Sequence, residues 1–259
     1  GFRAVDRDRA VEVHHLHRPE DRFDEREVVG ERPVGGGQRV LEAGTLIGAR
    51  QVGMLAAVGA GLVFAHPRPR VAVLSTGSEL VEPGLDLRHG LISDSNSYQL
   101  VAAAQEAGAD AYRIGPIPDD EALLLDAIED QLHRADLILT SGGVSMGAYD
   151  TVKAVLSELG TVDFVKVAMN PGMPQGVGVV GDEKTPIITL PGNPVSSYVS
   201  FEVFVRPAIR QMRALAELSR PQTRATCATA LTSPPGKRQF ARARFVRDGV
   251  VLPTGTGQG

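Results

Sequence analysis

Leu137-Ile138-Leu139-Thr140-Ser141-Gly142-Gly143-Val144-Ser145-Met146-Gly147-Ala148-Tyr149-Asp150 reads as a strand that ends abruptly in a small, polar, glycine-rich turn, with an acidic residue where an amphipathic segment begins. Gly142, Gly143 and Gly147 permit positive φ and close approach of the backbone to a ligand. N–H groups in such a turn, beside a helix start, form a seat for an anion such as phosphate. Taken alone, the stretch is equally consistent with a plain turn.

The surrounding segments give it a sheet to sit on. The run 71–74 (V-A-V-L) is continuously apolar, the mark of a buried parallel strand, and ends in Ser75-Thr76-Gly77-Ser78-Glu79. Helical spacing of Leu100, Val101 and Ala104 predicts a helix over 95–107 with Gly108 as its stop. A strand follows at 111–114. Asp119 or Asp120 then caps a helix to about 133, with Leu124 and Ile128 on its buried stripe. After the glycine turn, a helix is expected at 151–159, strands at 164–168, 176–180 and 187–189, and a helix at 195–212 that Pro207 bends or divides. Upstream, 50–58 suits a short helix.

Strand–helix alternation with short turns implies an α/β fold, a three-layer, mostly parallel sheet with helices on both faces. Ligands in such sheets bind at the carboxyl ends of the strands, where Glu79, the 141–150 turn and Pro191–Ser196 all fall. Three regions are expected: 1–66, an irregular N-terminal remnant; 67–218, the α/β domain; and 219–259, an incomplete β-module with strands at 223–231 and 240–246 split by Pro234-Pro235-Gly236.

Composition narrows the function classes. Apolar residues make up 42% and charged residues 22%, as in a chain that buries a core, and the net charge of −4 argues against a nucleic-acid surface. An anionic ligand must then be held by local dipoles and a few placed cations. The single cysteine, Cys227, excludes an intramolecular disulfide and is expected as a small, buried or half-buried strand residue. No run approaches a membrane span and no leader is evident, so a cytoplasmic location without membrane contact is expected. His14, His15 and His17 lack partners at ligand spacing and read as part of a solvated segment.

Three groups carry the candidate chemistry. Thr76, Gly77 and Glu79 sit just past a strand, where hydroxyls contact phosphate and a carboxylate coordinates a metal ion or handles protons, the alternative being an N-terminal cap plus a surface glutamate. Asp94-Ser95-Asn96 has the form of a helix cap, with a ligand role for Asp94 as the alternative. Glu79 and Asp150 at neighbouring strand ends would suit Mg2+ beside a polyanion, because Mg2+ takes one or two carboxylates with phosphate oxygens and water. Pro191-Gly192-Asn193-Pro194-Val195-Ser196 is a stiff loop that offers backbone groups at little entropic cost.

Assembled, these motifs resemble the molybdopterin molybdenumtransferase family, which includes the gephyrin-type enzymatic domain. The matching stretches are V-A-V-L-S-T-G-S-E-L (71–80), I-S-D-S-N (92–96), T-S-G-G-V-S-M-G-A-Y-D (140–150), F-V-K-V-A-M-N-P-G-M-P (164–174), L-P-G-N-P-V-S (190–196) and S-P-P-G-K-R-Q-F (233–240). The resemblance implies insertion of molybdate into adenylylated molybdopterin (molybdopterin-AMP), with Mg2+-assisted release of AMP. It places Ser141, Gly142, Gly143 and Ser145 on the pterin-phosphate end, with Thr76 and Gly77 at the adjoining strand end. Glu79 and Asp150 take the metal-assisted chemistry, with Asp94 nearby. Lys166 and Pro191, Gly192, Asn193, Pro194 and Ser196 line the pocket. A homodimer, and contact with a molybdopterin adenylyltransferase, are further implications. Ala148, Asn170, Met173 and Ser78 depart from the family pattern and remove charged groups common there. The N-terminal segments that complete the family's site are not recognisable in 1–37, so weak turnover by the chain alone is expected. The rival readings are a molybdopterin adenylyltransferase and a non-catalytic binding or scaffold fragment.

Overall fold

The computed structural model describes residues 10–12, 33–34, 38–142 and 148–254, with side chains described over 40–142 and 151–254. It divides into two compact units, 1–67 with 212–215, and 68–211 with 216–259. In the first, a helix over Ala49–Ala57 starts after Gly48, whose N–H donates to Gln51 Oε1 at 3.2 Å. Leu41, Leu55, Ala60 and Val63 form its small core. Strand Leu62–Phe64 pairs antiparallel with Ala10–Glu12, an ordered piece within the segment expected to be irregular. His14, His15 and His17 lie outside the described residues.

The second unit is built on six strands: β1 Arg70–Thr76, β2 Asp110–Ile117, β3 Leu137–Ser141, β4 Gly160–Lys166, β5 Pro174–Val180 and β6 Thr185–Leu190. Their order across the sheet is β4-β5-β6-β3-β1-β2. The continuous apolar run of β1 is buried on both sides because successive side chains point to opposite faces. Val71 and Val73 join one core with Leu137, Leu139, Leu100, Phe201 and Ile209. Ala72 and Leu74 join the other with Ile138, Leu124, Ile128, Val155 and Leu156. The first core lies under α1 Asn96–Ala107 and the second under α2 Glu121–Leu132 and α3 Ala148–Leu159, giving three layers.

β6, β3, β1 and β2 run parallel. β5 runs against β6 and β4 against β5, so five of the six strands share one direction. The reversal has a local cause. Residues 181–184 join β5 to β6 in a tight turn with Gly181 and Lys184 at positive φ, whereas a parallel connection needs a crossover of roughly a dozen residues. Thr76, Ser141, Lys166 and Leu190 therefore end their strands along one edge of the sheet.

The helix expected over 195–212 is continuous but altered at its centre: α4 Pro194–Ser200, a π-helical stretch Phe201–Val205, then α5 Arg206–Met212. Pro207 has no N–H to donate, and its ring crowds the carbonyl four residues back. The hydrogen-bond ladder slips into the wider turn ahead of it instead of breaking.

The C-terminal residues differ from the sequence expectation in three ways. The strand expected over 223–231 shrinks to Thr226–Cys227, and a strand not expected, Val250–Pro253, lies between it and Ala243–Arg247. The turn at Asp248-Gly249, with Gly249 at φ +67°, makes the hairpin, and that dipeptide is a recognised hairpin signal. Cys227 does lie in a strand, but it is exposed rather than buried or half-buried.

Candidate functional site at the carboxyl edge of the sheet

Three strand ends are stitched together around Gly142. Its N–H donates to Leu190 O at 3.2 Å, linking the end of β3 to the end of β6. Its φ is +99°, and a Cβ at this position would lie 2.5 Å from Thr76 O at the end of β1. Glycine is required here on both counts. The Gly142 amide is thus already committed, and what this residue contributes is the close approach of the β1 and β3 ends. Gly192, in the loop after β6, approaches Gly142 Cα to 3.6 Å measured from where its own Cβ would be.

Asn96, the first residue of α1, crosses this junction. Its Nδ2 donates to Ser141 Oγ at 2.7 Å and to Gly192 O at 2.6 Å, so one amide ties the β3 turn to the β6 loop. Asn96 is 9% exposed, and its Oδ1 is buried without a partner among the described residues. Thr76 Oγ1 is likewise buried and unpartnered.

Asp94 lies beneath. It is 1% exposed and its oxygens accept from Ser75 Oγ at 2.6 Å, Ser97 N at 3.1 Å and Ser97 Oγ at 2.5 Å, with Arg113 Nη2 at 3.4 Å. A buried carboxylate with so many donors is a framework group first. Arg113 of β2 also donates to Ser97 Oγ at 2.7 Å and Glu82 Oε1 at 2.8 Å, and stacks 3.9 Å over the Tyr98 ring. Its hydrogen bond to Glu82, with that of Tyr98, holds the Glu82 carboxyl below its ordinary range.

Glu79 is the opposite case. It is exposed, and its carboxylate curls over Gly77, where a Cβ would meet Glu79 Oε2 at 2.7 Å. The loop carrying it is tied down next door: Ser78 N donates to Asp119 Oδ2 at 3.1 Å and Asp119 N to Ser78 Oγ at 2.9 Å. In the proline loop, Asn193 Oδ1 accepts from Val195 N and Ser196 N, both at 3.1 Å, and from Ser196 Oγ, while Pro194 opens α4. The backbone donors at 195 and 196 are thereby used within the loop.

The structure brings Thr76, Gly77, Ser141, Gly142 and Gly192 to one place, with Asp94 under them and Glu79, Pro191, Asn193, Pro194 and Ser196 beside them. Lys166 ends β4 on the same edge but two strands beyond β6, exposed, opposite Pro174. Gly143 and Ser145 lie outside the described residues, and of Asp150 only the backbone, in the first turn of α3, is described. Among the described residues no group of three or more His, Cys, Asp or Glu could hold a metal ion. The segment after Pro234 docks nearby: Arg238–Gln239 pairs parallel with Met169–Asn170, and Lys237 Nζ reaches Met173 Sδ at 3.6 Å.

Two residues escaped the sequence reading. Asn96 looked like part of a cap because its partners stand 45 and 96 positions away, a distance no local pattern reports. Arg113 carried a signal, a lone cation inside the apolar strand Asp110–Ile117, since buried arginines are almost always paired.

Residues 72–211 match the family described as "Probable molybdopterin binding domain". Molybdopterin molybdenumtransferase 2 of Mycobacterium tuberculosis is 48% identical over 216 residues, which are 81% of this chain and 53% of that protein. Molybdopterin molybdenumtransferase 1 of the same organism is 42% identical over 212 residues, 82% of this chain and 50% of its own length. The chain spans about half the length of these curated relatives. The crystal structure of a molybdopterin biosynthesis moea protein from Pyrococcus horikosii superposes with a TM-score of 0.72 at 30% identity, covering 86% of this chain and 54% of that one. With its sheet, its edge loops and more than half its length matched, the chain belongs to the molybdopterin-binding domain family.

Proposed function

We propose that this chain takes part in molybdenum cofactor synthesis as a molybdopterin molybdenumtransferase, inserting molybdate into molybdopterin-AMP and releasing AMP. The observation that carries the reading is the convergence of Ser141, Gly142, Thr76, Gly77 and Gly192 at the carboxyl edge of a largely parallel sheet, with an exposed carboxylate, Glu79, at its rim. The relatives named above carry the same activity in their names.

The chain's own contributions follow from its geometry. Gly142 lets the ends of β1 and β3 close on one another, and the Ser141 hydroxyl beside it is placed to donate to a ligand phosphate. Glu79 and Asp150 are the residues that would hold Mg2+, with phosphate oxygens and water completing its shell, which is why two carboxylates suffice. The bound ion would offset charge on the phosphate and molybdate oxygens. Lys166 supplies positive charge farther along the edge. A homodimer and contact with an adenylyltransferase belong to the same reading, as does a cytoplasmic location. No helix among the described residues is long and apolar enough to cross a membrane.

The test is molybdate-dependent AMP release from molybdopterin-AMP with Mg2+ present, followed by chromatography. Asp150→Asn and Glu79→Gln are each expected to slow release by about a hundredfold or more while AMP binding stays within a few-fold, since loss of a metal ligand removes transition-state charge stabilisation first. Release at the wild-type rate in both variants would overturn the assignment.

A further inference from the structure

We infer that Asn96 is a positioning residue that fixes the direction of the Ser141 hydroxyl, turning that side chain into a dedicated hydrogen-bond donor for a ligand phosphate. The inference rests on the reading of the Ser141–Gly142 turn as a phosphate seat and adds a residue that the motifs did not assign to the ligand.

The chemistry of the two contacts fixes the orientation of the amide. Gly192 O can only accept, so the Asn96 atom 2.6 Å from it is the nitrogen, and the oxygen faces away. The second hydrogen of the same nitrogen goes to Ser141 Oγ at 2.7 Å. A serine hydroxyl has one proton and two lone pairs. With a lone pair filled by Asn96, the remaining proton cannot point back at the amide and must be given elsewhere. Among the described residues no acceptor takes it, although Ser141 is 2% exposed and a buried hydroxyl ordinarily donates.

Asn96 Oδ1 adds a second, independent sign. Among the described residues it is buried without a partner, a position of real cost, so the amide is held at this point for its donor end. The same nitrogen clamps Gly192, so the β3 turn and the proline loop keep one spacing. The clamp and the hydroxyl direction are both set before any ligand arrives, which is the condition for electrostatic stabilisation without reorganisation.

AMP is the probe, and its affinity is measured by calorimetry for the wild-type chain, Asn96→Ala, Ser141→Ala, the double variant and Asn96→Asp. Asn96→Ala and Ser141→Ala are each expected to weaken AMP binding about tenfold, the scale of one hydrogen bond to a charged group. The double variant should be no weaker than either single one, because the two residues act as a unit. Asn96→Asp replaces the donor by an acceptor that would capture the Ser141 proton. Its deficit relative to wild type at the same pH should shrink on acidification, as the protonated carboxyl regains a donor. That pH signature separates a directing role from loss of folding, which thermal melts monitor. Wild-type affinity in Asn96→Ala, or losses that add in the double variant, would overturn the inference. Unchanged affinity in Ser141→Ala would instead overturn the phosphate-seat reading itself.

Discussion

Two carboxylates at the sheet edge show how burial divides labour among similar side chains. Asp94 is enclosed and receives hydrogen bonds from Ser75, both donors of Ser97, and Arg113. Glu79, earlier in the chain, is exposed and bends over a glycine. Replacing Asp94 by Asn puts an N–H2 where donors already point, and strips Arg113 of part of its counter-charge. Loss of charge-assisted hydrogen bonds in a buried site costs about 1.5–3 kcal/mol, so Asp94→Asn should lower the urea midpoint clearly. Glu79→Gln should leave the stability within about 0.5 kcal/mol of wild type, as surface changes do, while slowing AMP release about a hundredfold or more. Equal destabilisation by the two substitutions would show that the division by burial is wrong. Arg113 belongs to the same frame: through Ser97 and Asp94 it reaches the start of α1, and hence Asn96.

The elements are held by caps and turns whose signals vary in range. Asp120 Oδ1 accepts from Leu123 N at 3.0 Å and starts α2, and the contact is local enough to be read from D-D-E-A-L-L. Asp120→Ala should cost about 1 kcal/mol by urea titration, the usual value of such a cap, without touching AMP binding. No measurable loss would mean that Asp119, tied to Ser78, takes over the capping. The strands of the central sheet were legible for an equally local reason: 71–74 and 137–139 are continuous apolar runs, which only a sheet covered on both faces uses. The direction of β5 was not, since P-Q-G-V-G-V-V reads the same either way and the reversal depends on the tight 181–184 turn. The end of the strand at Ser141-Gly142 and the stiff Pro191–Ser196 loop were legible, but not the amide that joins them. Likewise nothing local marks the shortening of the 223–231 strand, whose pairing is decided by Val250 and Val251.

At the scale of the whole α/β unit, ion pairs fasten helices that the two apolar cores only press together. Arg220 holds Glu202 through two hydrogen bonds of 2.9 and 2.8 Å and reaches Glu106 of α1 at 3.3 Å, so one side chain joins the π-helical stretch, α1 and the chain beyond α5. Burial pushes the Glu202 carboxyl up, but the Arg220 hydrogen bonds and charge outweigh it and leave it lowered. Glu82 is lowered by Arg113 and Tyr98 in the same sense. A carboxyl lowered in the folded state contributes stability that is fully present above its ordinary range near 4.5 and disappears as pH falls through the folded value. The unit should therefore lose stability on acidification below about pH 5, before general carboxylate protonation is complete. Urea midpoints at pH 7, 5, 4 and 3 check this. Glu202→Gln should lower the midpoint at pH 7 and flatten its fall between pH 5 and 3, because the neutral side chain has no proton to gain. Partial exposure of the pair keeps the difference modest, about 1 kcal/mol or less. An unchanged slope in that variant would assign the acid sensitivity to other carboxylates, and would leave Arg220 as a packing residue whose charge does not fasten the helices.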